Sequence, residues 1–334
     1  MKISEGKRTL LYSMSSMLFV PLLPIKNIRA NYTTPSGFVF DDIFLTPIFN
    51  KNHPEQPERI KSGILEVQSQ LKISSKIILL PIRSPDIEII KLIHTSNHIN
   101  SLNNKYSKKI NSVILAGVGS VLSACDSVHS GKTKNAFVAS RPPGHHARNS
   151  GKEEGFCFYN NIAIAAKYLQ KKFNYKKILI VDWDYHHGDG TEQFFYDDPS
   201  VLFFSTHDWH AYPRTGDPKR KGVGKGYGYN INVHLKCGSS NQDIQNAFLS
   251  NLIPAAEKFK PDFILISAGF DSKENDTLGC FKVNDEGYNF LTRLMINLAK
   301  KYSGGKLISV LEGGYNPKEM KSSILSHIIE LSNY

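Results

Sequence analysis

The chain is 334 residues long, 40% hydrophobic and 21% charged, with a formal net charge of +11. That length suits one large α/β domain with a sizeable core, and no repeat of solenoid period is visible. Four cysteines without CxxC spacing argue against a disulfide scaffold and a structural zinc cluster, and the scattered lysines (Lys171, Lys172, Lys176, Lys177, Lys219, Lys221) read as a solvated surface rather than a nucleic-acid site.

Residues 1–30 read as an export leader. Lys2, Lys7 and Arg8 form a basic start, Thr9 to Ile25 an apolar run, and Ala30 a cleavage point. Export to the periplasm or cell envelope is the expectation; a cytoplasmic protein with an uncleaved extension is the alternative. Cleavage would remove five bases and one acid and leave residues 31–334 at +7. Beyond the leader no stretch reads as long and apolar enough to span a bilayer. Glu58 to Leu71 reads as a helix, Lys76 to Pro81 as a strand, and Asp86 to Leu102 as mostly helical. His94 and His98 lie four apart in that stretch and read as structural, because no HExxH pattern accompanies them. Ser112 to His129 is a helix, Asn135 to Ser140 a strand, Asn160 to Lys172 a helix, and Ile178 to Val181 a strand. Val201 to Ser205 and Asn230 to His234 are strands flanking a Gly-rich loop from His210 to Tyr229, the kind of loop that shapes a site rim. Asp243 to Lys258 is a helix, Phe263 to Ser267 a strand, Asp285 to Lys300 a helix and Leu307 to Leu311 a strand. Alternating strands and helices imply right-handed crossovers and one open, mostly parallel sheet flanked by helices.

Four of these strands end in polar loops: Arg141-Pro142-Pro143-Gly144-His145-His146-Ala147, Asp184-Tyr185-His186-His187-Gly188, Ala268-Gly269-Phe270-Asp271-Ser272 and Glu312-Gly313-Gly314-Tyr315-Asn316. Ligands of open α/β sheets bind beyond the carboxyl ends of the strands, so the four loops are expected to face one crevice. Asp184 and His186 are two apart on extended backbone and point to one side, a half-site for zinc or iron(II). Asp271 can complete it, or can merely cap the following segment. His145 and His146 are acid/base candidates, Tyr315 an oxyanion donor, with core packing as the alternative for all three. Cys157, between Phe156 and Phe158, reads as a small buried hydrophobe.

The strings RPPGHHA (141–147), GFCFYNNIAIAA (155–166), IVDWDYHHGDGTEQFF (180–195), SAGFDS (267–272) and LEGGYN (311–316) resemble the histone deacetylase family, nearer its class II and bacterial branch, over roughly residues 37 to 330. The resemblance implies an arginase/deacetylase-like fold and metal ligands Asp184, His186 and Asp271. It pairs His145 with Asp182 and His146 with Asp189, a position where class II members often carry Asn. It places Gly155 and Phe156 on one wall of an acyl-lysine channel, with Tyr212 opposite. It further implies zinc, or iron(II), and a potassium site at Asp182, Asp184, Ser205 and Thr206. The implied activity is hydrolysis of an N-acyl amide of the acetyl-lysine type. An acetylpolyamine or other small-molecule amidohydrolase is the enzymatic alternative, and an acyl-lysine binding protein the non-enzymatic one. One departure weighs against peptide-backbone recognition: Asn103 to Lys109 contains no acidic residue, where peptide deacetylases often place one.

Overall fold

The computed structural model describes residues 34–71 and 75–333; the leader expected over residues 1–30 lies outside them. Among the described residues eight strands form one all-parallel sheet: β1 (Ser36–Val39), β2 (Ile77–Leu80), β3 (Asn135–Val138), β4 (Ile178–Asp182), β5 (Val201–His207), β6 (Asn230–His234), β7 (Phe263–Ala268) and β8 (Leu307–Leu311). Their spatial order is β2-β1-β3-β8-β7-β4-β5-β6. Every residue of β3, β4, β7 and β8 is buried, which explains their continuous apolar runs: helices cover both faces, so no face needs a polar side chain. Helices Glu58–Leu71, Asp285–Tyr302 and Pro317–Ser332 pack together, as do Lys108–His129 and Asn161–Phe173.

Strand order decides where the chemistry sits. The last two strands, β7 and β8, insert between β3 and β4, so the four polar loops leave four adjacent central strands. Register keeps those strand ends level: Asp182 pairs with Ser267, Ser267 with Val310, and Val310 with Val138.

Several element boundaries differ from the sequence reading. Asp86 to Leu102 is two helices, Ile87–Ile90 and Ser96–Lys105, because Thr95 turns out of helix and caps His98 N at 3.3 Å. Asp243 to Lys258 is likewise divided into Asn241–Ala247 and Ile253–Phe259, joined by a wider helical turn at Phe248–Leu252. Pro254 lacks the N–H that an unbroken helix needs there. β1 and the helices Asp189–Phe195 and Pro317–Ser332 were not expected. For the last, the available signal was Asn316 as cap with Pro317 at the first helical position. Lys108–His129, with mean hydropathy 1.4, does meet the length and composition of a span, contrary to expectation. It is a core helix, since 67% of that window is buried. Asn103 to Lys109 is no loop: Asn103, Asn104 and Lys105 end one helix and Ser107 caps the next. Cys237 and Cys280 form a disulfide, 43 residues apart with Cα atoms 5.2 Å apart, tying the loop after β6 to the loop after β7.

Candidate active site

Asp184, His186 and Asp271 each place a ligand atom within 4.8 Å of the others. His186 Nδ1 lies 3.2 Å from Asp184 Oδ1 and 2.9 Å from Asp271 Oδ2. Backbone groups orient both carboxylates: Asp184 Oδ2 accepts Gly313 N at 2.8 Å, and Asp271 Oδ1 accepts Tyr185 N at 2.7 Å. Gly313 has to be glycine, because a Cβ there would stand 2.1 Å from Asp271 Oδ2 and 2.6 Å from Asp184 Oδ2. Among the described residues neither carboxylate has a Lys or Arg salt bridge.

Burial, then the neighbouring Asp184 charge, pushes the Asp271 carboxyl up to about 7. Burial alone would lower His186, yet Asp271 and Asp184 lift it to about 10. Burial opposes charge on Asp184 as well, but His145 and His186 outweigh it and hold its pKa far below the usual value, so an ionised Asp184 faces an Asp271 inclined to bind a proton, and a divalent cation satisfies both carboxylates at once. The donor set fits such an ion. A second group, His145, Cys157 and Glu312, is also close enough to be considered. It does not fit. Burial pushes the Cys157 thiol far up, whereas a metal binds thiolate, and Glu312 is already engaged by backbone amides.

His145 Nδ1 lies 3.0 Å from Asp182 Oδ2, and His146 Nδ1 lies 2.7 Å from Asp189 Oδ1. The two rings are 4.0 Å apart. Burial opposes charge on His145, but Asp184 and Asp182 outweigh it and hold its pKa well above the usual value. At His146 burial and the His145 charge prevail over the Asp189 hydrogen bond and lower the pKa to about 4. Opposite shifts in adjacent groups separate an acid from a base. The loop carrying the pair is fixed by Glu312, whose Oε2 accepts Gly144 N at 2.6 Å and His145 N at 3.1 Å. Glu312 was missed as a functional residue, although an acid directly after an apolar strand is a legible signal.

A cavity of about 430 Å³ opens onto this group, lined by His146, His186, Phe156, Tyr212, Leu278 and Tyr315. Gly155 lies on it too, as do Tyr185 and Ala211. Tyr185, Ala211 and Leu278 had not been singled out. Gly155 and Phe156 are the central residues of a tight turn in which Glu154 and Cys157 exchange backbone hydrogen bonds, both with left-handed φ (+53° and +70°). For phenylalanine that conformation costs about 1–3 kcal/mol, and here it sets the ring against the cavity, 5.8 Å from the Tyr315 ring. Burial holds the Tyr315 phenol well above its usual pKa, so it stays a donor, although Arg59 over its ring at 4.5 Å opposes this.

Of the four residues expected at a monovalent ion, Asp182 and Ser205 are register partners, Ser205 Oγ pairs with His207 Nδ1 at 2.8 Å, and Thr206 Oγ1 is buried without a hydrogen-bond partner among the described residues. His94 and His98 are committed elsewhere: His94 Nε2 accepts Asn160 N at 2.9 Å, and His98 Nε2 pairs with Phe158 O at 2.8 Å. They brace the segment that follows Phe156.

Residues 53–331 match the model of the histone deacetylase domain. The chain belongs to the histone deacetylase family. It is 35% identical over 294 residues to a probable deacetylase of Archaeoglobus fulgidus, covering 84% of this chain and 81% of that one. It is also 35% identical over 333 residues to histone deacetylase 5 of Arabidopsis thaliana, covering 90% of this chain but 49% of the longer plant protein. The crystal structure of the HDA15 HD domain superposes with a TM-score of 0.82 at 32% identity, covering 90% and 89% of the two chains. The site just described is thus set in a histone deacetylase domain, and the protein is a hydrolytic deacetylase acting on acetyl-lysine-type amides.

Proposed function

We propose that this deacetylase is a zinc enzyme for N-acetyl groups on unbranched amine stems, with Asp184, His186 and Asp271 as the metal ligands. The observation that carries the reading is the convergence of those three side chains beside two carboxylate-held histidines at one cavity. A divalent ion held there would polarise the amide carbonyl and acidify a water molecule. Iron(II) suits the same two-aspartate, one-histidine set. His146, oriented by Asp189 through Nδ1, keeps its other nitrogen free to take the proton of the attacking water. His145, held by Asp182, maintains the charge on that side of the site and with His146 delivers the proton to the departing amine. Tyr315 donates its hydroxyl to the oxygen on which negative charge develops. Phe156 and Tyr212 form the slot for the aliphatic stem, which two aromatic rings suit. Potassium beside Asp182 and Asp184, with Ser205 and Thr206, is a second cofactor in this reading, and the unpartnered Thr206 hydroxyl supports it.

An acetylpolyamine or other small amide is the alternative substrate, since Asn103 to Lys109, the end of one helix and the start of the next, holds no acidic residue. Export through the first thirty residues would make that amide a cell-envelope compound. N-terminal sequencing of natively produced protein tests export: a start near Asn31 supports it, an intact Met1 in the cytosol ends it. The function itself is tested by turnover of a fluorogenic acetyl-lysine amide, removed by chelator and restored by Zn²⁺ or Fe²⁺. Binding of that amide without turnover at any metal loading would make the protein an acyl-lysine binder instead.

A further inference from the structure

The loop between β7 and the helix Asp285–Tyr302 carries a carboxylate whose two oxygens are both spent on backbone amides. Asp276 Oδ1 accepts Leu278 N at 2.8 Å and Gly279 N at 3.1 Å. Asp276 Oδ2 accepts Tyr315 N at 2.6 Å and Asn316 N at 3.2 Å, 39 and 40 residues away in the chain. The first pair closes a local turn beside Leu278, a cavity-wall residue. The second reaches across to the turn that presents Tyr315 to the same cavity. Two further bonds run parallel to the second pair: Asn316 Nδ2 donates to Asn275 O at 2.7 Å, and Thr277 Oγ1 to Tyr315 O at 3.4 Å.

We propose that Asp276 is the positioning residue for Tyr315, fixing the tyrosine turn against the cavity wall so that the hydroxyl meets the developing oxyanion without reorganisation. The inference rests on the reading of Tyr315 as oxyanion donor. Four amides on one carboxylate are charge-assisted bonds, stronger than neutral ones. The Tyr315 turn contains Gly313 and Gly314, and glycine leaves backbone freedom that something must remove. An oxyanion donor acts only when preorganised, and small misplacement is costly. The hydrogen bonds of the Asp276 side chain all go to backbone amides and none to a metal ligand, and because its charge also bears on the Asp271 carboxyl, metal content has to be read beside kcat to isolate the path through Tyr315.

Asp276→Asn tests this in the full chain. The amide has one acceptor oxygen, and the local turn keeps it; the NH₂ group then faces the N–H groups of Tyr315 and Asn316. The expected result is a kcat about 10–10² lower, with KM within about threefold and metal content unchanged. Asp276→Asn, Tyr315→Phe and the double variant complete a cycle on a fluorogenic acetyl-lysine amide. In the Tyr315→Phe background the Asp276 change should cost less than about twofold, since the hydroxyl it positions is gone. Full additivity overturns the positioning role, because a generally structural residue would lower kcat in either background. A raised KM with unchanged kcat also overturns it and assigns Asp276 to the Leu278 wall. Tyr315→Phe with undiminished kcat removes the oxyanion reading itself, an outcome distinct from additivity. Should Asp276→Asn not fold, Asn316→Ser keeps a helix-capping hydroxyl but loses the bond to Asn275. It should lower kcat a few-fold, again only when Tyr315 is present, and additivity there refutes the proposal equally.

Discussion

Tyr315 stands between the Phe156 ring at 5.8 Å and the Arg59 guanidinium at 4.5 Å, with its phenol kept protonated by burial. Tyr315→Phe removes only the hydroxyl, so fold and metal content should persist while kcat falls about 10²–10³-fold, the cost of one oxyanion donor. An unchanged kcat would withdraw that role. Asp184 and Asp271 face the opposite test. In the proposed site each contributes one of three ligand atoms, so Asp184→Ala or Asp271→Ala should lose metal and turnover together; metal analysis beside an activity assay reads this, and full occupancy with normal turnover refutes the ligand set. Asp184 and His186 were legible as a pair by their spacing after a strand, although the structure holds them in a bend beyond β4, where His186 N donates to Asp184 Oδ1 at 2.9 Å, and not on extended backbone. Leu278 and Asp276 were not, since both sit in a loop without periodicity, where only the turn at Tyr315 gives them meaning.

At the scale of elements, the C-terminal helix Pro317–Ser332 docks on the sheet through His327. Its Nδ1 meets Thr292 Oγ1 and its Nε2 meets Ser309 Oγ, both at 2.8 Å. The ring is fully buried among Phe137, Trp183 and Phe270, and burial pushes its pKa down to about 3. Between about pH 3 and the ordinary value near 6.5 the unfolded chain therefore binds a proton that the folded chain refuses. Stability from this group is complete above pH 6.5 and falls on acidification, with a slope approaching about 1.4 kcal/mol per pH unit. His327→Gln should flatten the acid slope of unfolding free energy by up to that amount. An identical slope in both proteins would mean that His327 does not titrate differently on folding. Seven of the strands were readable from sequence and β1 was not, and several ends drifted by a residue or two because pairing, not composition, stops a strand. Asp243 to Lys258 was read as one helix, although Pro254 within it was a legible signal of the break the structure shows.

For the molecule as a whole, one buried carboxylate joins two of the loops that build the site. Glu55 accepts Arg59 Nη1 at 2.9 Å and Arg141 Nε and Nη2 at 2.6 Å each. Arg141 opens the loop that carries the histidine pair, and Arg59 donates to Glu312 O at 2.6 Å and Gly314 O at 2.5 Å in the tyrosine loop. Burial opposes ionisation of Glu55, but Arg141 and Arg59 outweigh it and hold its pKa below the usual value. Glu55→Ala would leave two buried guanidiniums short of their partner and should destabilise the protein by about 3–5 kcal/mol, read from the denaturant midpoint at unchanged slope. A loss below about 1 kcal/mol would mean that water replaces the carboxylate at little cost.

The sequence by itself determined the parallel α/β class and the residue types at four strand ends, because buried strands leave apolar runs and metal chemistry needs carboxylate and imidazole at short spacing. Five ordered motifs did the same for the family. Tertiary structure alone decided that β7 and β8 lie between β3 and β4, which turns four loops scattered over 176 positions, from Arg141 to Asn316, into one crevice. It alone joined Cys237 to Cys280, Glu55 to Arg141, and Asp276 to Tyr315. The physical reason is common to all three. A local pattern records how a segment meets its own neighbours, whereas a bond between distant segments depends on how the strands are ordered in the sheet, and no single segment carries that order.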